Sequence, residues 1–145
     1  MIELQWGKPM EGWQLSVSTD RKQFLVGIPV HVSLVMKNVS SKLLPLPTPL
    51  FKWGIYRFIV RDEFGEIPLT RFGKRVEENR GEGSYAEPSI EPNGTVVMEV
   101  LISRLFDLSL RGSYVFEVSR MVFKQGSKEQ VLIVSNKSTF EIIEE

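Results

Sequence analysis

Cysteine is absent from the 145 residues, which removes disulfides, thiolate metal sites and cysteine nucleophiles from consideration. It also leans toward a bacterial or cytosolic chain, since exported eukaryotic domains of this size often carry a disulfide. Histidine occurs once, at His31, so a zinc or copper site of the usual ligands lacks its second imidazole. A Ser-His-Asp triad would need that same side chain, and there is no Gly-x-Ser-x-Gly elbow to present a serine. No glycine-rich loop followed by lysine is available to cradle a phosphate. Aspartate is scarce (Asp20, Asp62 and Asp107), and the paired carboxylates Asp62-Glu63 and Glu77-Glu78 fall in segments read as loops. Without an EF-hand-like run they read as solvated turn charges. No catalytic residue, metal or cofactor is therefore expected.

Net charge is also missing: 18 basic side chains balance 18 acidic ones and the pI is near 6.6, so no global field draws the chain to nucleic acid or an anionic membrane. No apolar run reaches the ~18 residues of a membrane span. The first residues carry neither a basic n-region nor an apolar h-region. Location is left open: the cell envelope or exterior if a leader was removed ahead of Met1, otherwise the cytoplasm.

What is present is alternation. Trp13, Leu15 and Val17 share one parity, with Gln14, Ser16 and Ser18 on the other. Val30, Val32, Leu34 and Met36 repeat the device against His31, Ser33 and Lys37. Such period-two patterns predict strands with one buried and one wet face, which puts His31 on the surface. Residues 56–61 predict a third strand, closed by the turn cluster Asp62 to Glu66, with Ile67-Pro68-Leu69 returning as a short edge because proline lacks an N–H. Glu91-Pro92-Asn93-Gly94 is the clearest turn and opens a strand facing Val96, Met98, Val100 and Ile102 inward. Gly112-Ser113-Tyr114 then starts a core strand through Phe116 and Val118, and residues 131–143 supply the last strands with a break at Asn136. Gly94 and Gly112 are assigned to structure, as are Trp13 and Tyr114. Helix signals are scarce: one short turn is expected between Ile102 and Leu110, with Asp107 or Ser109 as a cap. Seven to nine strands with turns between them predict an all-β, antiparallel, immunoglobulin-like β-sandwich forming one domain over 1–145.

Three segments exceed a minimal sandwich. Residues 1–11 form an N-terminal extension carrying Trp6, expected to be tucked against the domain. In 43–54, Pro45, Pro47 and Pro49 forbid regular sheet pairing and favour a stiff extended path. Its Leu46, Phe51 and Trp53 either cover the core or contact a partner. Residues 71–89 mix charge with glycine and read as a surface loop whose Arg71, Lys74 and Arg75 are a second set of contact candidates. Asn38, Asn93 and Asn136 each begin an Asn-x-Ser/Thr sequence, three of only four asparagines.

The order of these features resembles bacterial immunoglobulin-like domains. Gly12-Trp13-Gln14-Leu15-Ser16-Val17, then Phe24 to Val30 with its Gly-x-Pro-Val, then Leu34 to Ser40 ending in Asn-x-Ser carry the likeness. Asp62 to Gly65, Glu91 to Gly94 and Asp107 to Tyr114 continue it. Gly112-x-Tyr114 is similar to the tyrosine corner of such sandwiches, whose phenol bonds to upstream backbone. Similar layouts occur in accessory domains of exported bacterial proteins and in BsuPI-like intracellular proteinase inhibitors. The resemblance implies architecture more than activity. The expectation is a non-catalytic binding or adaptor module of an exported bacterial protein, recognising a protein or polysaccharide through its loops. The alternatives are a loop-inserting peptidase inhibitor and a carbohydrate-binding module. Oligomeric state is left open.

Overall fold

The computed structural model describes residues 3–45, 56–78, 89–124 and 126–144, the side chains of residues 77 and 78 excepted. Among them, strands β1 (Trp13–Thr19), β3 (His31–Asn38) and β8 (Thr95–Leu101) form a three-stranded antiparallel sheet in the order β1-β3-β8. The second sheet is built on β9 (Gly112–Phe123), the longest strand at 12 residues. On one side β9 pairs with β10 (Gln130–Val134) and β11 (Ser138–Ile143), and on the other with β5 (Arg57–Asp62). The short β6 (Gly65–Glu66) extends it past β5, and β2 (Gln23–Leu25) past β11. Two residues each of β4 (Leu44–Pro45) and β7 (Ser89–Ile90) make a third, minimal pairing. The fold is mostly β, and seven of the described strands run five residues or longer.

The inward sets read from sequence for β1, β3 and β9 hold. Trp13, Leu15 and Val17 are buried, as are Val30, Val32, Leu34 and Met36, while His31 is exposed. Phe58 and Val60 turn inward from β5, and Tyr114, Phe116 and Val118 from β9. The buried side chains of both sheets belong to one cluster. Phe140 stacks on Tyr114 at 5.3 Å and meets Phe24 edge-on at 5.8 Å between ring centroids, arrangements that add to burial. Val96 and Met98 share the inward parity of Val100 but are only half-buried.

The turn chemistry also appears. Pro92 and Asn93 occupy the centre of a turn closed by Gly94 N–H to Glu91 C=O at 2.8 Å, and Asn93 takes the positive φ of 67°, as in a type II turn. Gly94 itself is wanted for space, since a Cβ there would lie 2.7 Å from the Ile90 side chain. Gly112 has φ 149°, a conformation open chiefly to glycine, and two residues on the Tyr114 hydroxyl donates to the Leu110 carbonyl. The N-terminal segment is tucked in: the Gly7 N–H donates to Leu15 O at 2.9 Å and the Gln14 amide to Gly7 O at 2.9 Å.

Three expectations need correction. At most one helical turn was expected, yet besides α2 (Ile102–Leu105), which falls in the anticipated window, an eight-residue helix α1 spans Arg71–Glu78. Asp107 does not cap α2; its carboxylate accepts the Ser109 N–H at 3.1 Å in a local turn, and hydrogen bonding from the Ser109 hydroxyl first, then from this N–H, holds the carboxyl below its ordinary pKa range. Finally, the sheets are not wholly antiparallel, because β2 pairs with β11 in parallel.

Burial fixes the expected cost of core truncation. Phe116, fully buried, should lose about 3–5 kcal/mol on replacement by alanine and Leu34 about 2–5 kcal/mol, measured by urea denaturation. A loss below about 0.5 kcal/mol at either position, the range of surface substitutions, would contradict the facing described here.

Candidate functional site

The feature that departs from plain strand pairing lies beside β5. Strand β5 leaves the core through Tyr56, Phe58 and Val60, turns at Asp62, whose carboxylate takes the Phe64 N–H at 2.8 Å, and returns as β6. The return is brief. Ile67 donates its N–H to Val60 O at 2.8 Å; Pro68 then has no N–H to give, and Leu69 makes an isolated bridge to Phe106. Among the described residues, no strand pairs with the outer edge of β5 before Val60.

Helix α1 starts at once. The Thr70 side-chain oxygen accepts the Gly73 N–H at 3.0 Å, the geometry of a helix N-cap, while its hydroxyl donates to Arg104 O at 2.6 Å. Its backbone N–H donates to Leu105 O at 2.8 Å. One residue thus caps α1 and ties it to α2. Gly73 makes the approach possible, because a Cβ there would stand 2.4 Å from the Leu105 carbonyl oxygen. Phe72 and Val76 turn partly inward, and the Arg104 guanidinium lies 3.9 Å from the Phe72 ring centroid, within range of a cation–π contact.

Between β5 and this helical corner lies a cleft of about 260 Å³. Its β side is residues 56–60, its near lip Glu66 to Leu69, and its far wall Gly73 and Val76 of α1 with Leu105 and Phe106. At the start of β5, the buried Arg120 donates from Nη1 to the Tyr56 hydroxyl at 3.3 Å and from Nε to Met121 O at 3.2 Å. Burial pushes the Tyr56 phenol above its ordinary pKa, and the adjacent guanidinium only partly offsets this. The cleft's other ionisable lining groups are Arg57 and Glu66, both exposed. It therefore offers a ligand apolar contact, a neutral phenol, one cation and one anion.

The sequence-derived contact residues divide. Leu46, Phe51 and Trp53 lie outside the described residues. Arg71, Lys74 and Arg75 are brought together, exposed on α1, the helix whose other face walls the cleft. The reading of 71–89 as loop from its first residue is thus corrected: residues 71–78 are helical, and 79–88 lie outside the described residues. The spacing of Leu69, Phe72 and Val76 was the available helix signal, and it was masked by Gly73 and the surrounding charges. Trp13 is core, and Trp6 is half-buried with the Lys37 ammonium 5.6 Å from its ring centroid, so these two do not form an exposed pair. Among the described residues no three His, Asp or Glu side chains converge as a metal site, and no helix is long and apolar enough to cross a membrane.

No protein-family model matches the chain, and no curated protein does. Among solved structures, a β-glucosidase from Listeria innocua is similar to it, in complexes with isofagomine and with gluconolactone, at 12% and 11% identity and a TM-score of 0.40 in both. The alignment covers 90% of this chain and 16% of the enzyme. At that score, and over that fraction of the enzyme, nothing about its activity carries across.

Two outcomes follow from this corner. Gly73→Ala would gain about 1 kcal/mol of helix propensity in isolation, but the clash with Leu105 should dominate and give a net loss of about 1–3 kcal/mol in urea unfolding. A stabilised variant would mean that α1 is not seated against α2. The second concerns alkaline pH. Burial raises both Tyr56 and Tyr114 above 10.0, and nearby Asp62 and Asp107 add to the rise at Tyr114. A group whose folded pKa is raised contributes stability that is complete below the unfolded pKa and is lost as pH climbs through the folded one. The urea midpoint should therefore stay level up to about 9 and fall above 10, with two of the three tyrosines ionising late in phenolate absorbance of the native protein. Normal titration of all three would contradict the burial of these rings.

Proposed function

We propose that the chain is an immunoglobulin-like β-sandwich serving as a non-catalytic recognition module, and that the cleft between β5 and α1 is where it takes a protein partner. The architectural part is supported by two sheets sharing one buried cluster, by seven strands of useful length, and by the Tyr114–Leu110 bond in the position of a tyrosine corner. The functional part rests on one observation: a cleft of mixed polar and apolar lining, walled by a helix that is pinned at its first turn. A pre-ordered site loses less entropy on binding than a mobile one, and function placed on a rigid frame beside a sheet is the usual division of labour. A protein partner is favoured over a polysaccharide because Trp13 is buried and Trp6 is half-buried under Lys37, so these two offer no stacking platform for sugar rings.

The test is selection of a random octapeptide phage library on the immobilised full chain, with Val76→Trp as the cleft-filled control. Val76 is half-buried at the cleft wall, so the larger ring occupies the space without entering the main core, and an unchanged urea midpoint verifies folding. Enriched clones that bind the native chain and not Val76→Trp support the reading. Absence of enrichment, or clones indifferent to Val76→Trp, would sink it.

A further inference from the structure

Resting on that reading of the cleft, we infer that its ligand is an extended, acidic peptide segment that adds a strand to the outer edge of β5.

The backbone supplies the first reason. Alternate residues of an antiparallel strand direct their N–H and C=O to opposite neighbours. Val60 directs its carbonyl away from β9, where the Ile67 N–H takes it, so the polar groups of Phe58, two residues earlier, point the same way. That side is the cleft. Among the described residues β6 covers only Arg61 and Asp62 of this edge. A strand edge facing a cleft with both polar backbone and apolar side chains in its walls is an arrangement that accepts a peptide by strand addition, with main-chain bonds supplying affinity and alternate side chains entering the pocket.

Charge supplies the second reason. Arg57 lines the cleft and is exposed, Arg71, Lys74 and Arg75 stand exposed on α1, and Arg104 lies exposed over Phe72. Glu66 is the carboxylate set among the lining side chains. Among the described residues, even with Glu77 and Glu78 of the helix sequence counted, the corner keeps a positive excess in a chain whose total charge is zero. A ligand carrying carboxylates beside apolar residues fits the guanidinium-rich rim and the apolar walls together.

The peptides recovered by the selection above decide it. Cleft-dependent clones should be enriched in Asp and Glu next to alternating apolar residues. A synthetic copy of the tightest clone should bind Arg57→Glu and Lys74→Glu about tenfold more weakly, with a steeper effect at low salt. N-methylation of its alternate amides should abolish binding in one register and spare the other. Cleft-dependent clones with no acidic excess, or charge variants that bind equally, would overturn the acidic class and leave the recognition reading standing. Insensitivity to N-methylation in both registers would overturn strand addition. Clones indifferent to Val76→Trp would remove both readings. Sedimentation of the protein alone should show a monomer, and a dimer abolished by Val76→Trp would identify a second copy as the occupant and overturn the proposal.

Discussion

The inward face of β9 has to be kept dry along its length, and the rest of the molecule is arranged by that requirement. Tyr114, Phe116, Val118 and Val122 project from it into the shared core, and every long strand of the second sheet is paired to it directly. Leu15, Val17, Val32, Leu34 and Met36 of the first sheet belong to the same cluster. Fully burying one such side chain is worth about 1.5–3 kcal/mol, against roughly 0–1 kcal/mol for an exposed ion pair. Surface pairs such as Asp20–Arg21 and Arg111–Glu144, with side chains more than half exposed, decorate a frame that the core has already determined.

That hierarchy explains what could be read in advance. A face buried against a core leaves a period-two trace, so the inward sets of β1, β3 and β9 were legible residue by residue. Turn chemistry was legible where a residue type has few alternatives, as at Pro92-Asn93 and Gly112. Neighbour relations were not, because pairing leaves no mark within a single strand; nothing in Gln23-Phe24-Leu25 announces a parallel partner in β11. Buried polar residues were misjudged for a related reason. Ser16 has the wet parity of β1 yet is buried, its hydroxyl donating to Gln5 O at 2.5 Å. Asn38 and Asn136, conspicuous as Asn-x-Ser sequences, are latches. Asn38 donates to Lys42 O and Ile90 O, both at 2.8 Å. Asn136 accepts the Val17 N–H at 2.8 Å and donates to Val17 O at 3.1 Å, joining the β10–β11 connection to the other sheet. A satisfied buried amide and an exposed acceptor sequence are spelled alike.

The cleft was the least legible feature because no segment contains it. It forms where alternation stops: Pro68 ends the return strand, Thr70 starts a helix in place of further pairing, and Gly73 lets that helix approach α2. Each residue has an innocuous local reading, a breaker, a cap and a flexible spot. Their joint consequence, a recess beside a strand edge that no described strand covers before Val60, depends on Leu105 and Phe106 arriving from some thirty residues later. Glycine misled the reading most. Its conformational freedom suggests loop chemistry, whereas at Gly73 its missing side chain is what matters.

The zero net charge leaves a local basic patch open. Electrostatic influence at physiological ionic strength fades over about 8 Å, so a ligand at the β5 edge senses Arg57 and the exposed face of α1 rather than the whole-chain total. Neutrality excludes long-range attraction to a polyanion without excluding a locally basic rim. In the proposed reading the rim and the recess also have different work to do. Exposed guanidinium and ammonium groups contribute little affinity individually, and their main effects are on encounter rate and on which partners are rejected. Affinity has to come from apolar surface and from backbone bonding along a held edge. The corner formed by Thr70 and Gly73 therefore matters more than the charges above it, because it keeps the recess open on one side of β5 while the core fixes that strand on the other.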